Sequence, residues 1–497
     1  MLEEYFSEFR ENTIGFNLKS QVNSHNILYA DWTASGRLYR PIESHLTDSI
    51  GPYVANPHTE NTETGRAITA AYKQARSVIK EHVNASDDDV LICTGAGATS
   101  AINKLQRLMG LQQKQADSQT SSFLRKVTHL VSNKKRDAKA VVFVTHMEHH
   151  SNQTSWNTLD LDVEVIKRAP DGQPCIRDLT ERLQSYPQQK MKIGAFTGCS
   201  NVTGIKTNVG QLAKTMHQFG GVCFIDYACS APYVNIDMHP QDPLEKLDGI
   251  YFSPHKFLGG PGSCGILVFN KALYALNNKS PDKPGGGTVL WTNPWGEQAF
   301  YEDIEKREDG GTPAFLQTIK AAEAIKLKNK MGVSNIEKRE THLRKILMEG
   351  MSDIPNVNIL EPNIKNRLCI VSFYVTDIHH NLIVRLLDNK FGIQARGGCS
   401  CAGTYGHILL NVDKQKSLQI VSELNNGDLS HKPGWVRLSL HPTNTDEEAT
   451  YVVNSLKSVV EHAHEWQKDY TFDEQLGDFI PNENSISLAL PSLNQAS

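Results

Sequence analysis

Short apolar runs rich in β-branched residues recur along this chain, with amphipathic stretches between them. VLIC (90–93), VVFVT (141–145), KIGAF (192–196), GVCFID (221–226), GIYFS (249–253) and GILVF (265–269) each have the length and composition of a buried strand. AINKLQRLMG and VGQLAKTMHQFG, which fall between them, repeat their apolar residues at helical spacing. The alternation predicts β-α-β units and an α/β domain with a mostly parallel sheet over residues 25–300. The polar stretch 111–138 has no core periodicity and reads as a surface insert. From GTPAFLQTIKAAEAIKLKNKMG onward a long helical pattern leads into NRLCIVSFYV and WVRLSL. That order predicts a smaller α+β domain over 301–470, joined by residues 1–24, with 471–497 as a C-terminal tail.

Composition narrows the class. A chain of 497 residues with 39% hydrophobic and 21% charged residues can bury a large core. Its formal charge of -4 gives no electrostatic basis for nucleic acid or an anionic membrane as partner, so a small-molecule site is expected. Nine scattered cysteines suit reduced thiols in a cytoplasmic protein. The start, MLEEYFSEFRENT, is acidic and has no apolar centre, which speaks against a secretory signal, and no run is long and apolar enough to span a bilayer.

Several strand ends carry chemistry. In YFSPHKFLGGPGSCGIL, Lys256 follows an apolar run and precedes small residues, a setting that suits a partly desolvated amine meeting an aldehyde. Asp226 closes the strand of FIDYACSAPYVNID, thirty residues earlier; it either orders its loop or faces a ring nitrogen. ICTGAGATSAINKL passes from strand to helix through Gly97, Ala98 and Thr99, as a phosphate cradle or as a plain capped turn. His149 of THMEHHSNQTSW can stack on a conjugated ring, order its loop, or less suitably bind metal, since no second cluster has zinc-like spacing; no metal site is expected. Asn201 of GCSNVTG has a comparable position, with loop ordering as the alternative. FGIQARGGCSCAGTYGH places Cys399 and Cys401 shortly after Arg396, whose charge favours thiolate; a structural Cys-x-Cys turn is the rival reading. Arg437, on the strand pattern of GWVRLSL, needs an anion, either an internal carboxylate or that of a substrate.

Taken in order, ADWTASGRLYRP, ANPHTENTETGR, GAGATSAIN, MEHHSNQTSW, SNVTGIKTNV, IDYACSAP, SPHKFLGGPGSCGIL, DGGTP, ARGGCSCAG and WVRLSL resemble the class V fold-type I pyridoxal-phosphate enzymes. The resemblance is nearest to the cysteine desulfurase and selenocysteine lyase branch and covers roughly residues 27–460. It implies a large domain with a seven-stranded type of sheet, pyridoxal phosphate as cofactor, and Lys256 as the lysine that forms the imine. By the same resemblance Ser253, His255, Ala98 and Thr99 contact the phosphate, Asp226 pairs with the ring nitrogen, His149 stacks on the ring, and Asn201 reaches its phenolic oxygen. Thr312 of DGGTP would reach the phosphate across a homodimer boundary, and Arg437, with Arg396 nearby, would bind the carboxylate of an amino acid substrate. Cys401 matches the desulfurase nucleophile, giving alanine and a Cys401 persulfide, with a sulfur-acceptor protein as a further partner.

The chain departs from this pattern twice. Cys229 stands where the family usually has a glutamine three residues past the ring aspartate, and Ser400 where a histidine often precedes the cysteine. A class V aminotransferase, another lyase or an epimerase using Lys256 is the alternative, followed by a catalytically silent binding protein.

Overall fold

The structure, a computed structural model, describes residues 2–20, 24–57, 59–111, 140–275 and 280–482. The chain divides into a large unit, Ile42–Ser200 with Thr207–Lys328, and a small unit, Met1–Pro41 with Asn201–Lys206 and Asn329–Ser497. Apart from Leu111, the expected insert over 111–138 lies outside the described residues, as does the tail beyond 482.

Seven strands make the sheet of the large unit: β1 (Asp89–Thr94), β2 (Ala140–Val144), β3 (Asp162–Val165), β4 (Met191–Thr197), β5 (Val222–Asp226), β6 (Gly249–Phe252) and β7 (Gly265–Asn270). Their order is β1-β7-β6-β5-β4-β2-β3. Strands β2 to β6 pair in parallel, whereas β7 runs antiparallel to both β6 and β1. The reversal has a local cause: the link from β6 to β7 is the lysine-bearing turn, which holds no crossover helix. Each of the six apolar runs became one of these strands. The seventh, β3, was not singled out because DVEV alternates acid with valine at the sheet edge, where no residue is fully buried.

Period-two alternation sends neighbouring side chains to opposite faces. Leu91, Val141, Phe143 and Ile225 pack on one face with Ile79, Leu183, Met216 and Ile325 from helices. Ile92, Val142, Val144 and Phe224 pack on the other with Ile102, Leu105 and Trp156. Both faces are therefore covered, as a parallel sheet requires. The large unit runs on to Lys328, beyond the expected boundary at 300, because Ile319 and Ala322 of the helix Phe315–Met331 pack on Ala75.

The small unit holds four antiparallel strands, β8 (Val357–Ile359), β9 (Ile370–Val375), β10 (Arg396–Gly398) and β11 (Trp435–Ser439), in the order β8-β9-β11-β10. Leu343, Leu347, Leu386, Leu456 and Val459, from the helices Val333–Ser352, His380–Phe391 and Asp446–Trp466, cover one face of this sheet. Residues 201–206 belong here through main-chain bonds: Leu368 N donates to Gly204 O and Lys206 N to Asn366 O. A hairpin of β12 (Tyr470–Asp473) and β13 (Asp478–Pro481) occupies part of the stretch expected as tail, and its Phe479 joins the core. Among the described residues no helix is long and apolar enough to cross a membrane.

Candidate active site

Within the large unit, the chemistry-bearing residues gather where the parallel strands end. Asp226 is the last residue of β5 and is 4% exposed. Burial pushes its carboxyl up to about 6, while the Ala228 amide, donating to Oδ1 at 2.8 Å, and the charge of Lys256 pull the other way. Strands β5 and β6 are neighbours, so Asp226 at the end of one and Lys256 just past the end of the other stand at adjacent strand ends. Lys256 is half-buried and closes a single tight turn, Pro254–Lys256, just past β6, its amide donating to Ser253 O at 3.0 Å. Gly260 lets the chain fold back behind it, since a Cβ there would stand 1.8 Å from Pro254 O.

Ser253 and the N-terminal end of the helix Ala98–Leu108, both expected to contact a phosphate, lie against one another. The Ala98 amide donates to Ser253 Oγ at 2.8 Å, and a hydroxyl so engaged still has its own proton to donate. Gly97 is required by close approach: a Cβ would lie 2.8 Å from Ser253 Oγ and 3.6 Å from the His255 ring. Burial, followed by the charge of Lys256, lowers His255 to about 4, so the ring is neutral at physiological pH. Exposed Thr99 links this helix end to the next strand end, its Oγ1 lying 2.7 Å from Ser151 Oγ.

His149 caps the helix His150–Asn157, with Nδ1 accepting from the Ser151 amide at 3.1 Å. That bond fixes the ring's tautomer, leaving the proton of the neutral imidazole on Nε2. Beneath it lies a buried network that sequence reading missed. Glu148, 1% exposed, accepts from Thr145 N, Thr145 Oγ1, Thr197 N and Asn152 Nδ2 at 2.7–3.1 Å. Asn152 in turn accepts from Tyr251 at 2.5 Å and Trp156 at 3.3 Å. Motif reading had only the Glu and Asn of MEHHSN to work from, with nothing to show that they meet Tyr251 a hundred residues on. Thr312 stands exposed in the loop before the helix Phe315–Met331.

A second cluster lies within the small unit. Arg396 on β10 and Arg437 on β11 are directly opposite across the antiparallel pair, an arrangement that like charges disfavour. Asp31 resolves it, Oδ1 accepting from Arg437 Nη2 at 2.6 Å and Oδ2 from Arg396 Nε at 3.0 Å. Of the two anions weighed for Arg437, the internal carboxylate is thus present, and Asp31 is a site residue that motif reading overlooked. Arg437 also donates from Nη1 to Asn201 O at 3.0 Å, while its buried Nε has no hydrogen-bond partner among the described residues.

Asn201, expected at a ring oxygen, spends its amide nitrogen on Ser400 O at 2.7 Å. Its buried Oδ1 and the buried Ser400 Oγ have no partner among the described residues. Ser400 and Cys401 adopt φ of 49° and 57°, two successive left-handed non-glycine residues, each disfavoured by about 1 kcal/mol. The turn leaves Cys401 exposed and Cys399 half-buried. Cys229, in the large unit, is buried with Sγ 3.8 Å from Ser200 O.

The large-unit cluster can therefore hold a phosphate at a helix N-terminus, a cationic ring nitrogen at Asp226 and a carbonyl at Lys256. The small-unit cluster can hold a carboxylate and offers a thiol. Comparison with known proteins points the same way. The chain is 27% identical over 448 residues to a "Probable cysteine desulfurase" of Staphylococcus aureus, covering 89% of this chain and 94% of that protein. A protein of the same description from Staphylococcus epidermidis is 28% identical over 389 residues, 78% of this chain and 85% of its own. The apo cysteine desulfurase of Thermococcus onnurineus NA1 superposes with a TM-score of 0.71 at 22% identity, covering 91% of this chain and 98% of that one. Escherichia coli cysteine desulfurase CsdA gives 0.68 at 20% identity, covering 92% and 98%. At these identities the two structures establish a shared fold, fold-type I. The model of the family described as "Aminotransferase class-V" matches residues 118–452, more than half of the chain, and the protein belongs to that pyridoxal-phosphate-dependent family.

Proposed function

We propose that this protein is a pyridoxal-phosphate-dependent cysteine desulfurase, forming alanine and a persulfide on Cys401. The residues present fit the cofactor: a Gly97 cradle that a Cβ would fill, a buried carboxyl at Asp226, and an amine at Lys256 beside it. Bound there, pyridoxal phosphate supplies an electron sink for charge developing at the substrate Cα. Ala98, Thr99, Ser253 and His255 hold its phosphate, and Thr312 of a second copy completes that site in a homodimer. Asp226 would keep the ring nitrogen protonated and His149 would lie against the ring.

Arg437 and Arg396 take the substrate carboxylate, for which Asp31 has already set their spacing. Lys256 Nζ accepts the Cα proton. The thiolate of Cys401 attacks the substrate sulfur, so that the carbon–sulfur bond breaks as the sulfur–sulfur bond forms and its electron pair passes to Cβ. Cβ takes up the proton released when Cys401 ionised, Lys256 Nζ returns its proton to Cα, alanine leaves, and one sulfur atom stays on Cys401.

The observation that carries this reading is the exposed Cys401 on a left-handed turn tied through Asn201 to the same arginine that binds the carboxylate. The test is to incubate cofactor-saturated protein with cysteine and other amino acids and identify each product by mass. Alanine together with a +32 Da mass on the Cys401 peptide is expected, roughly the mass of one sulfur atom. Cys401→Ala should abolish both. Turnover that needs an oxo-acid acceptor and survives Cys401→Ala would instead make the protein an aminotransferase.

A further inference from the structure

The two thiols also line a cavity of about 280 Å³ that lies wholly within the small unit. Its walls come from the cysteine loop, the N-terminal end of the helix His380–Phe391, the 429–433 loop and the turn of the C-terminal hairpin. The hairpin wall is fixed in place. Asn381 Nδ2 donates to Gly477 O at 2.6 Å, Leu429 N to Glu474 O at 2.9 Å, and Arg385 pairs with Asp478.

The charge on these walls has one sign. Arg396 and Lys432 line the cavity with His379 and His380, and no aspartate or glutamate is among the lining residues. Lys432 makes no ion pair among the described residues, whereas Arg396 is already shared with Asp31. Burial first, then the electrostatic influence of His379 and Lys432, hold His380 uncharged against the opposing pull of Asp478, which is itself paired with Arg385. His379 accepts the Asn381 amide on Nδ1 at 3.2 Å, so its neutral ring carries the proton on Nε2 as a further donor. The helix N-terminus adds its dipole in the same sense. A polar, cationic cavity slightly below the usual small-ligand range is too small for a protein segment with its side chains and suits a compact anion.

We infer that this cavity seats a small anionic thiol, the acceptor that removes sulfur from Cys401. The inference rests on the desulfurase reading, since it needs a sulfur on that residue. The acceptor's thiolate attacks the outer sulfur of the Cys401 persulfide. A sulfur–sulfur bond forms on the acceptor, the bond to Cys401 Sγ breaks, and Cys401 departs as the thiolate; nothing is oxidised or reduced overall. Lys432 and His379 bind the acceptor's anionic group.

The test compares 2-mercaptoethanesulfonate with neutral 2-mercaptoethanol as acceptor, following alanine formed by the full-length, cofactor-saturated protein from saturating cysteine. The anionic thiol should show a KM about fivefold lower or better, and Lys432→Glu should erase that preference. Equal KM values in the wild type, or a preference that survives Lys432→Glu, would overturn the inference. A single-turnover measurement without added thiol separates the two readings, because one alanine per chain shows the desulfurase step whatever the acceptor. No alanine in that turnover would defeat sulfur transfer and its parent reading together. Independently of turnover and of the variant's folding, ethanesulfonate should slow iodoacetamide labelling of Cys399 and Cys401 in the resting protein, and neutral ethanol should not. Unchanged labelling would remove the anion site.

Discussion

Asp31 holds Arg437 in an ion pair of 2.6 Å, and the arginine is 3% exposed. Removing the carboxylate leaves a buried cation facing Arg396 across the strand pair. Asp31→Ala should cost about 3 kcal/mol of unfolding free energy, and Asp31→Asn, which keeps an acceptor, about half of that. Urea unfolding of the two variants measures both. The same bond orients the guanidinium while leaving its Nε without a partner among the described residues.

Gly97→Ala should act on cofactor binding more than on the fold. The added methyl would meet Ser253 Oγ at 2.8 Å and force apart the bond from the Ala98 amide. An overpacked contact of this kind costs about 1–3 kcal/mol, so pyridoxal phosphate affinity should fall roughly tenfold or more. A spectrophotometric titration reads the change, and an unaltered affinity would place the phosphate elsewhere.

Tyr251→Phe tests the floor of the site. Tyr251 and Asn152 are both fully buried, and the variant leaves Asn152 Oδ1 with Trp156 Nε1 alone at 3.3 Å. The expected loss is about 1–2 kcal/mol, seen as a lower urea midpoint with an unchanged slope.

Asp226 sets a pH dependence in the cofactor-free protein. Its folded value of about 6 lies above the ordinary 3.8, so its contribution to stability is complete below 3.8 and lost as pH rises through 6. Histidines work in the opposite direction. Burial lowers His146 and His255 to about 4 from 6.5, so the fold gains stability as pH rises across that window. Glu148, raised by burial to about 8, opposes them as Asp226 does; Asp226→Asn removes one of these carboxyls, and the variant's stability should climb more steeply from pH 4 to 6 than that of the wild type. Parallel pH profiles would show that Asp226 ionises normally in the fold.

The local features were legible in the sequence because they depend on neighbouring residues. Continuous apolar runs located six of the seven strands of the large sheet, and the positions of Asp226 and Lys256 at the ends of the neighbouring strands β5 and β6 followed from them. Pairings between distant residues were not legible. Asp31 lies some four hundred positions before Arg437, and nothing local to DWTASG identifies its partner. The strand-end position of Asn201 left loop ordering and a ligand contact both open, and nothing local to GCSNVTG shows that residues 201–206 bond with 366–368. The acid and amide of MEHHSN were visible, but their buried partners Thr197 and Tyr251 come from other strands.

Residues 201–206 also impose an order on biosynthesis. A ribosome releases this hexapeptide long before it makes Asn366 or Leu368, whose main-chain groups it bonds, and before Ser372, whose hydroxyl donates to Val202 O. The nascent small unit must therefore wait, with its first forty-one residues and this strip already translated, until about three quarters of the polypeptide has emerged. Neither an N-terminal nor a C-terminal fragment contains that unit whole, so truncation cannot deliver it as an autonomous module.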